Sequence, residues 1–139
     1  MTFIQAVQNV LRNYANFEGR ASRSEFWWFY LFHLFTVFGG LLILVLLTGA
    51  TEAALGRQAA GPVAGIFMLL LMLVWLGLAI PSLAVSVRRL HDTDHSGAWL
   101  LLAFVPFGFI VLLVWYLTPS SLGPNRYGSD TAARVANTF

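Results

Sequence analysis

The chain has 139 residues, of which 58% are hydrophobic and 10% charged, and its formal net charge is +2. Soluble domains carry roughly 25% charged residues, and a chain of this length has the interior of one domain, too little to hide so much hydrocarbon from water. A bilayer is the solvent that fits, and a small, dispersed positive charge gives no argument for nucleic acid as a partner.

Taken in order, Thr2 to Tyr14 places Phe3, Ile4, Val7, Val10, Leu11 and Tyr14 at helical spacing, with Gln5, Gln8, Asn9, Arg12 and Asn13 on the other side. This spacing predicts an amphipathic helix over 2–14, lying in the membrane interface or packing on the protein's own loops. No basic stretch followed by an apolar core precedes Phe17, so the first apolar run is expected to be an uncleaved anchor. Gly19 interrupts the helical pattern, and Ser22 or Ser24 is positioned to cap the next helix.

That next segment, 27–48, opens on Trp27 and Trp28, indole rings suited to the water–lipid boundary. It carries no charge, and its length matches a hydrocarbon core of about 30 Å. His33 sits within it, two turns beyond Glu25 on one face. As an ionisable group in a membrane segment it is a functional candidate, the alternative being a neutral imidazole bonded to a neighbouring helix. Residues 50–61 read as a small-residue loop with Glu52 and Arg57. The second apolar segment, 62–87, begins at a proline fit for a first helical turn. Pro81 is expected to kink it.

Between this segment and the next lies V-R-R-L-H-D-T-D-H-S-G-A-W, Val87 to Trp99. Every charge between Pro62 and Thr118 is here: Arg88, Arg89, Asp92 and Asp94, with His91 and His95 interleaved. The third apolar segment, 98–118, has Trp99 at one end and Trp115 at the other. A continuous helix would separate them by about 24 Å, a reasonable distance between aromatic belts. Pro106, Phe107 and Gly108 interrupt it, so the choice is between a kinked full span and a re-entrant hairpin. The belt spacing favours the span. The remainder, 119–139, is rich in Gly, Pro and Ser and is expected to be mostly loose, apart from a short motif at Asn125, Tyr127 and Gly128.

All eight basic residues are Arg and cysteine is absent, so phosphate or carboxylate can be gripped bidentately and no disulfide or thiolate metal site is available. With three spans, five arginines share a side with the N-terminus and three lie opposite; with a hairpin the division is seven to one, from Arg57 alone. Either way the N-terminus is expected in the cytoplasm, on the same face as Arg20, Arg23, Glu25, Arg88, Arg89, His91, Asp92 and Ser96. One reading of this cluster is a grip for an anionic lipid phosphate through Arg23, Arg88 and Arg89. The structural alternative is an ion-pair network that locks helix ends. An enzymatic reading makes His91 and Asp92 an acid–base pair acting on lipid head groups. A metal reading takes His91, Asp92, Asp94 and His95 as ligands, although no distant residues complete that set. No nucleophile elbow surrounds Ser22, Ser24 or Ser96, and no glycine-rich phosphate loop is present, so no cofactor is expected.

Three co-linear blocks, F-E-G-R-A-S-R-S-E-F-W-W from Phe17, R-R-L-H-D-T-D-H-S-G-A-W from Arg88 and N-R-Y-G-S-D from Asn125, resemble a family of small bacterial inner-membrane proteins catalogued as domain of unknown function 805. The resemblance covers about Phe17 to Asp130. It implies a multi-pass protein of a bacterial plasma membrane and no particular activity. Asp94 and His95 depart from the family pattern, as do Ala98 and Thr131.

The sequence therefore predicts an all-α integral membrane protein of one domain: an interfacial N-terminal amphipathic helix and three hydrophobic membrane segments, the third a full span or re-entrant. The expected role is a non-enzymatic module binding anionic membrane lipid or a membrane-protein partner, including a second copy of itself. The alternatives are a head-group enzyme and a small transporter or channel subunit.

Overall fold

The structure, a computed structural model, describes residues 1–129. It is all-helical: α1 spans Phe3–Arg12, α2 Arg23–Leu55, α3 Arg57–Asp92, a 3-10 helix Gly97–Phe104, and α4 Gly108–Leu117. Two helices are long and apolar enough to cross a membrane, and α4 is a shorter apolar one. The described residues divide into two compact units, residues 31–79 and residues 1–30 with 80–129.

Residues 31–79 form a helical pair. The loop expected at 50–61 is a single-residue turn, with both helices running into it. Gly56 makes the turn at φ +85°, a left-handed conformation that costs glycine nothing and other residues about 1 kcal/mol or more. Its N–H donates to the Glu52 carbonyl at 3.0 Å, closing α2. The Arg57–Glu52 pair beside it is exposed at 3.0 Å, a type of contact that adds little stability. In the most apolar 18-residue stretch of each long helix no residue is buried. Thr36, Thr48 and Thr51 each donate to the carbonyl four residues earlier, so their hydroxyls are satisfied within α2. An open apolar groove of about 480 Å³ lies among Leu44, Val45, Thr48, Gly49, Ala64, Gly65 and Met68. His33 lies on α2 in this unit, half-buried.

The other unit holds most of the buried side chains. α1 starts with a reciprocal cap: the Thr2 hydroxyl accepts from the Gln5 N–H, and the Gln5 side chain accepts from the Thr2 N–H. The helix ends at Arg12, short of the expected Tyr14, because Asn13 turns out of it and caps Asn9. Ala6 and Val10 are buried and Phe3 meets Trp28 edge-on at 5.8 Å, while Ile4 is 65% exposed. Of the expected apolar stripe Val10 alone is buried, Phe3 is held by a ring contact, and Ile4, Leu11 and Tyr14 are exposed. Ser22 caps α2, its hydroxyl accepting from Glu25 N–H at 3.2 Å. α3 continues unbroken through the buried Pro81 to Asp92.

The third apolar segment corrects the expectation of a full span. It folds back on itself: Trp99 and Trp115, expected at opposite ends, meet at 5.7 Å between ring centroids. The reversal is built at Pro106–Phe107–Gly108. Phe107 takes φ +63°, and the Gly108 backbone lies so close to Leu102 that a Cβ would fall 2.0 Å from its carbonyl oxygen. Only glycine fits there. A straight helix would hold the two rings about 24 Å apart, whereas the bend brings them to one end.

Candidate functional site

α3 and α4 both end in this unit, and their last carbonyls set the electrostatics. A helix C-terminus carries partial negative charge and unsatisfied acceptors. Arginines supply the donors. Arg89 Nε and Nη2 bond the Tyr116 carbonyl at 3.3 and 3.2 Å, and Nη2 also reaches the Thr118 carbonyl. Arg23, at the exposed rim, makes a longer bond of 3.4 Å to the Leu117 carbonyl. At the end of α3, Ser121 donates to the Asp92 carbonyl through both N–H and hydroxyl at 3.0 Å. Asn125 Nδ2 donates to the His91 carbonyl at 2.9 Å.

Asp92 is the centre of this arrangement and is fully buried. Its Oδ1 accepts from Arg20 Nε at 2.9 Å; its Oδ2 accepts from Arg89 and from the Ser120 hydroxyl. Two guanidinium groups on one carboxylate leave positive charge over, which backbone carbonyls absorb. Arg20 Nη1 reaches the Gly123 carbonyl and Nη2 the Ser121 carbonyl, each at 2.7 Å. Burial pushes Arg89 below its ordinary pKa, the Asp92 charge opposes that, and nearby Arg23 adds to the lowering. A guanidinium stays charged throughout.

The second buried pair is Arg88 with Glu25, Nη1 to Oε1 at 2.9 Å. Arg88 is 4% exposed, and its Nε and Nη2 have no hydrogen-bond partner. A buried donor left unmade costs about 1–3 kcal/mol. The Arg88 carbonyl accepts from Ala21 N–H at 2.9 Å, tying the start of α2 to the end of α3.

His91 makes its bonds to groups other than the Asp92 carboxylate. Its Nδ1 faces the Gly19 carbonyl at 3.1 Å, which only accepts, so Nδ1 carries the proton. The ring stacks on Tyr127 at 3.8 Å and 2°. Burial lowers its pKa, the Gly19 bond works against this, and Arg126 adds to the lowering. The expected acid–base pair is therefore not formed, because the Asp92 carboxylate is occupied by arginines. The metal reading fails on the same geometry. Asp94, at φ +60°, faces Arg126 at the exposed rim at 3.3 Å, and His95 stacks on Trp115 at 4.1 Å. Among the described residues no group of three or more histidine or acidic side chains converges as metal ligands.

Of the residues singled out from the sequence, Arg20, Glu25, Arg88, Arg89, His91 and Asp92 come together with Arg23 at their edge. Asn125, Tyr127 and Gly128 join them, Asn125 and Gly128 exchanging backbone bonds of 3.0 and 3.1 Å. Ser96 does not; it caps the 3-10 helix by accepting from Ala98 N–H. His33 belongs to the helical pair described above. The expectation of a loose tail is corrected over 119–129, where Ser120, Ser121, Gly123 and Asn125 all bond the cluster. Residues 130–139 lie outside the described residues. The role of Ser120 and Ser121 escaped sequence reading; the clue was an excess of arginine over carboxylate, which demands neutral acceptors from somewhere in the chain.

The profile of a family described as "Protein of unknown function (DUF805)" matches residues 14–129. The chain belongs to the DUF805 family. The match covers all the blocks that form the cluster. Among curated DUF805-like relatives, the inner membrane protein YhaI of Escherichia coli K12 is 44% identical over 123 residues, covering 88% of this chain and 91% of its own. The inner membrane protein YhaH of the same strain is 38% identical, with 87% and 91% covered. The uncharacterized protein YiiR is 32% identical, with 84% and 86% covered. No solved structure matches this DUF805 chain.

Proposed function

We propose that this chain is a non-enzymatic module of the bacterial inner membrane that holds acidic lipid head groups at the cytoplasmic rim of its arginine cluster. Two relatives are named inner membrane proteins, and Trp27–Thr48 and Pro62–Val87 each have the length and composition of a membrane crossing. With residues 98–118 folded back, two crossings count Arg12, Arg20, Arg23, Arg88, Arg89 and Arg126 on the side of the N-terminus and Arg57 on the other. Arginine-rich sides stay in the cytoplasm. α1, with Ile4 and Leu11 exposed beside its buried Ala6 face, reads as an interfacial helix.

One observation carries the lipid reading. Arg20 and Arg89 are consumed inside the protein, but Arg23 is exposed, has one long bond, and precedes the Trp27–Trp28 pair by one turn. A guanidinium beside interfacial indoles is at head-group depth, where anionic lipid attracts each basic residue by about 1 kcal/mol. The separation of His91 from Asp92 speaks against the head-group enzyme.

The test is lipid retained by the protein purified in mild detergent, quantified by mass spectrometry. Arg23→Gln is expected to lower the ratio of acidic to zwitterionic phospholipid several-fold, and Arg57→Gln to leave it unchanged. A wild-type ratio in Arg23→Gln would contradict the proposal.

A further inference from the structure

Arg88, near the end of α3, is buried against the first turn of α2 through Glu25, and two of its three guanidinium nitrogens are idle. Its Nη1 is fixed by Glu25 at 2.9 Å, which sets the plane of the guanidinium. The two nitrogens without partners, Nε and Nη2, form one side of that plane. Their N–H bonds run nearly parallel, the geometry that accepts two oxygens of a phosphate or carboxylate at once. No lysine could present it.

The surroundings favour an anion at this edge. α2 is 33 residues long and begins at Arg23, with Ser22 as its cap. Its N-terminus carries partial positive charge. Ala21 N–H bonds the Arg88 carbonyl, so the Arg88 backbone is fastened to the entry of that helix. Glu25 balances one charge, and Arg23 begins the helix that Glu25 ties to Arg88. The buried edge of Arg88 and the helix end thus call for the same ligand.

We infer that the Nε/Nη2 edge of Arg88 is a binding site for a phosphate group. The inference rests on the acidic-lipid reading and deepens it: the phosphate is the ligand's recognised part, supplied by a lipid head group or by free phosphate. Both nitrogens are closed to solvent, so a phosphate reaches them by displacing the groups that cover that edge and then supplies the partners they lack. Arg23, at the exposed rim, attracts the anion; Arg88 grips it.

The test uses the full chain in phosphate-free detergent, titrated with inorganic phosphate or with short-chain phosphatidic acid, against chloride at equal ionic strength. The readouts are the thermal unfolding midpoint and the Arg88 Nε–H resonance in 15N-arginine-labelled protein. One or both probes are expected to raise the midpoint by several degrees and to move the resonance. A response to lipid alone assigns the lipid source; a response to both assigns the phosphate group itself. Arg88→Lys, which keeps a charge for Glu25 but has no edge, is expected to weaken the effect at least ten-fold. Arg57→Gln, at the exposed pair with Glu52, is expected to respond like the wild type. The inference is overturned if neither probe acts on the wild type, or if Arg88→Lys responds like it. Should Arg88→Lys not fold, a stationary Arg88 resonance overturns the inference and a moving one supports it. Loss of lipid retention in Arg23→Gln together with phosphate binding independent of Arg88 would sink this site and leave the rim reading standing.

Discussion

At Asp92 one buried carboxylate meets Arg20, Arg89 and Ser120, and its removal strands two guanidinium groups in a closed interior. Breaking a buried pair by taking away one partner costs about 3–5 kcal/mol, so Asp92→Asn is expected to abolish or severely lower the thermal midpoint in detergent. Asp94→Asn, at the exposed pair with Arg126, is expected to cost less than about 1 kcal/mol. Similar midpoints for the two variants would contradict the ranking. His91 gives a pH prediction. Its folded pKa lies below the ordinary value of about 6.5, so folding favours the neutral ring. That contribution is present above the unfolded value and is lost as pH falls through the folded one. The midpoint is therefore expected to drop on acidification below about pH 6.5, and less steeply in His91→Phe, which keeps the stack on Tyr127. Parallel pH profiles would show that His91 is not responsible.

Among the elements, the folded-back third segment determines what reaches the cluster. The chain lacks cysteine, so a Trp99→Cys, Trp115→Cys pair is a clean probe. A short bis-maleimide is expected to join the two, since the native rings lie 5.7 Å apart, and Gly108→Ala is expected to reduce joining because its Cβ would meet the Leu102 carbonyl. A pair that never cross-links would contradict the hairpin. The sequence made the existence of the helices plain. Uncharged apolar runs announced α2 and α3, and the choice of Ser22 or Ser24 as cap announced the start of α2, which Ser22 makes. It misplaced their ends, because a single glycine at Gly56 turns the chain where the small and polar residues of 50–61 suggested a loop. The 3-10 helix was illegible as well, because Ala98–Phe104 has the composition of a membrane helix; Pro106–Phe107–Gly108 marked a bend as one of two choices, and the closeness of Gly108 to Leu102 decides it.

For the whole molecule, the convergence of two distant blocks was legible from charge, since arginines beside apolar segments need acceptors and the nearest carboxylates are Glu25 and Asp92; the third block, from Asn125, was expected on the opposite side under the full span. Which arginine takes which carboxylate was not. The sequence grouped Arg23, Arg88 and Arg89 as equals, whereas Arg89 is spent on Asp92 and helix carbonyls, Arg88 is half-spent, and Arg23 faces outward. The part played by 119–125 was hidden because carbonyl acceptors leave no mark on side-chain composition. Side of the membrane is the property on which all of this turns, and a reporter fused after Gly128 reads it most directly. Green fluorescent protein there is expected to fluoresce and alkaline phosphatase to be inactive, placing both ends of the chain in the cytoplasm. An active phosphatase with a dark fluorescent fusion would mean that residues 98–118 cross the membrane, and would separate Ser120, Ser121 and Asn125 from the arginines they bond.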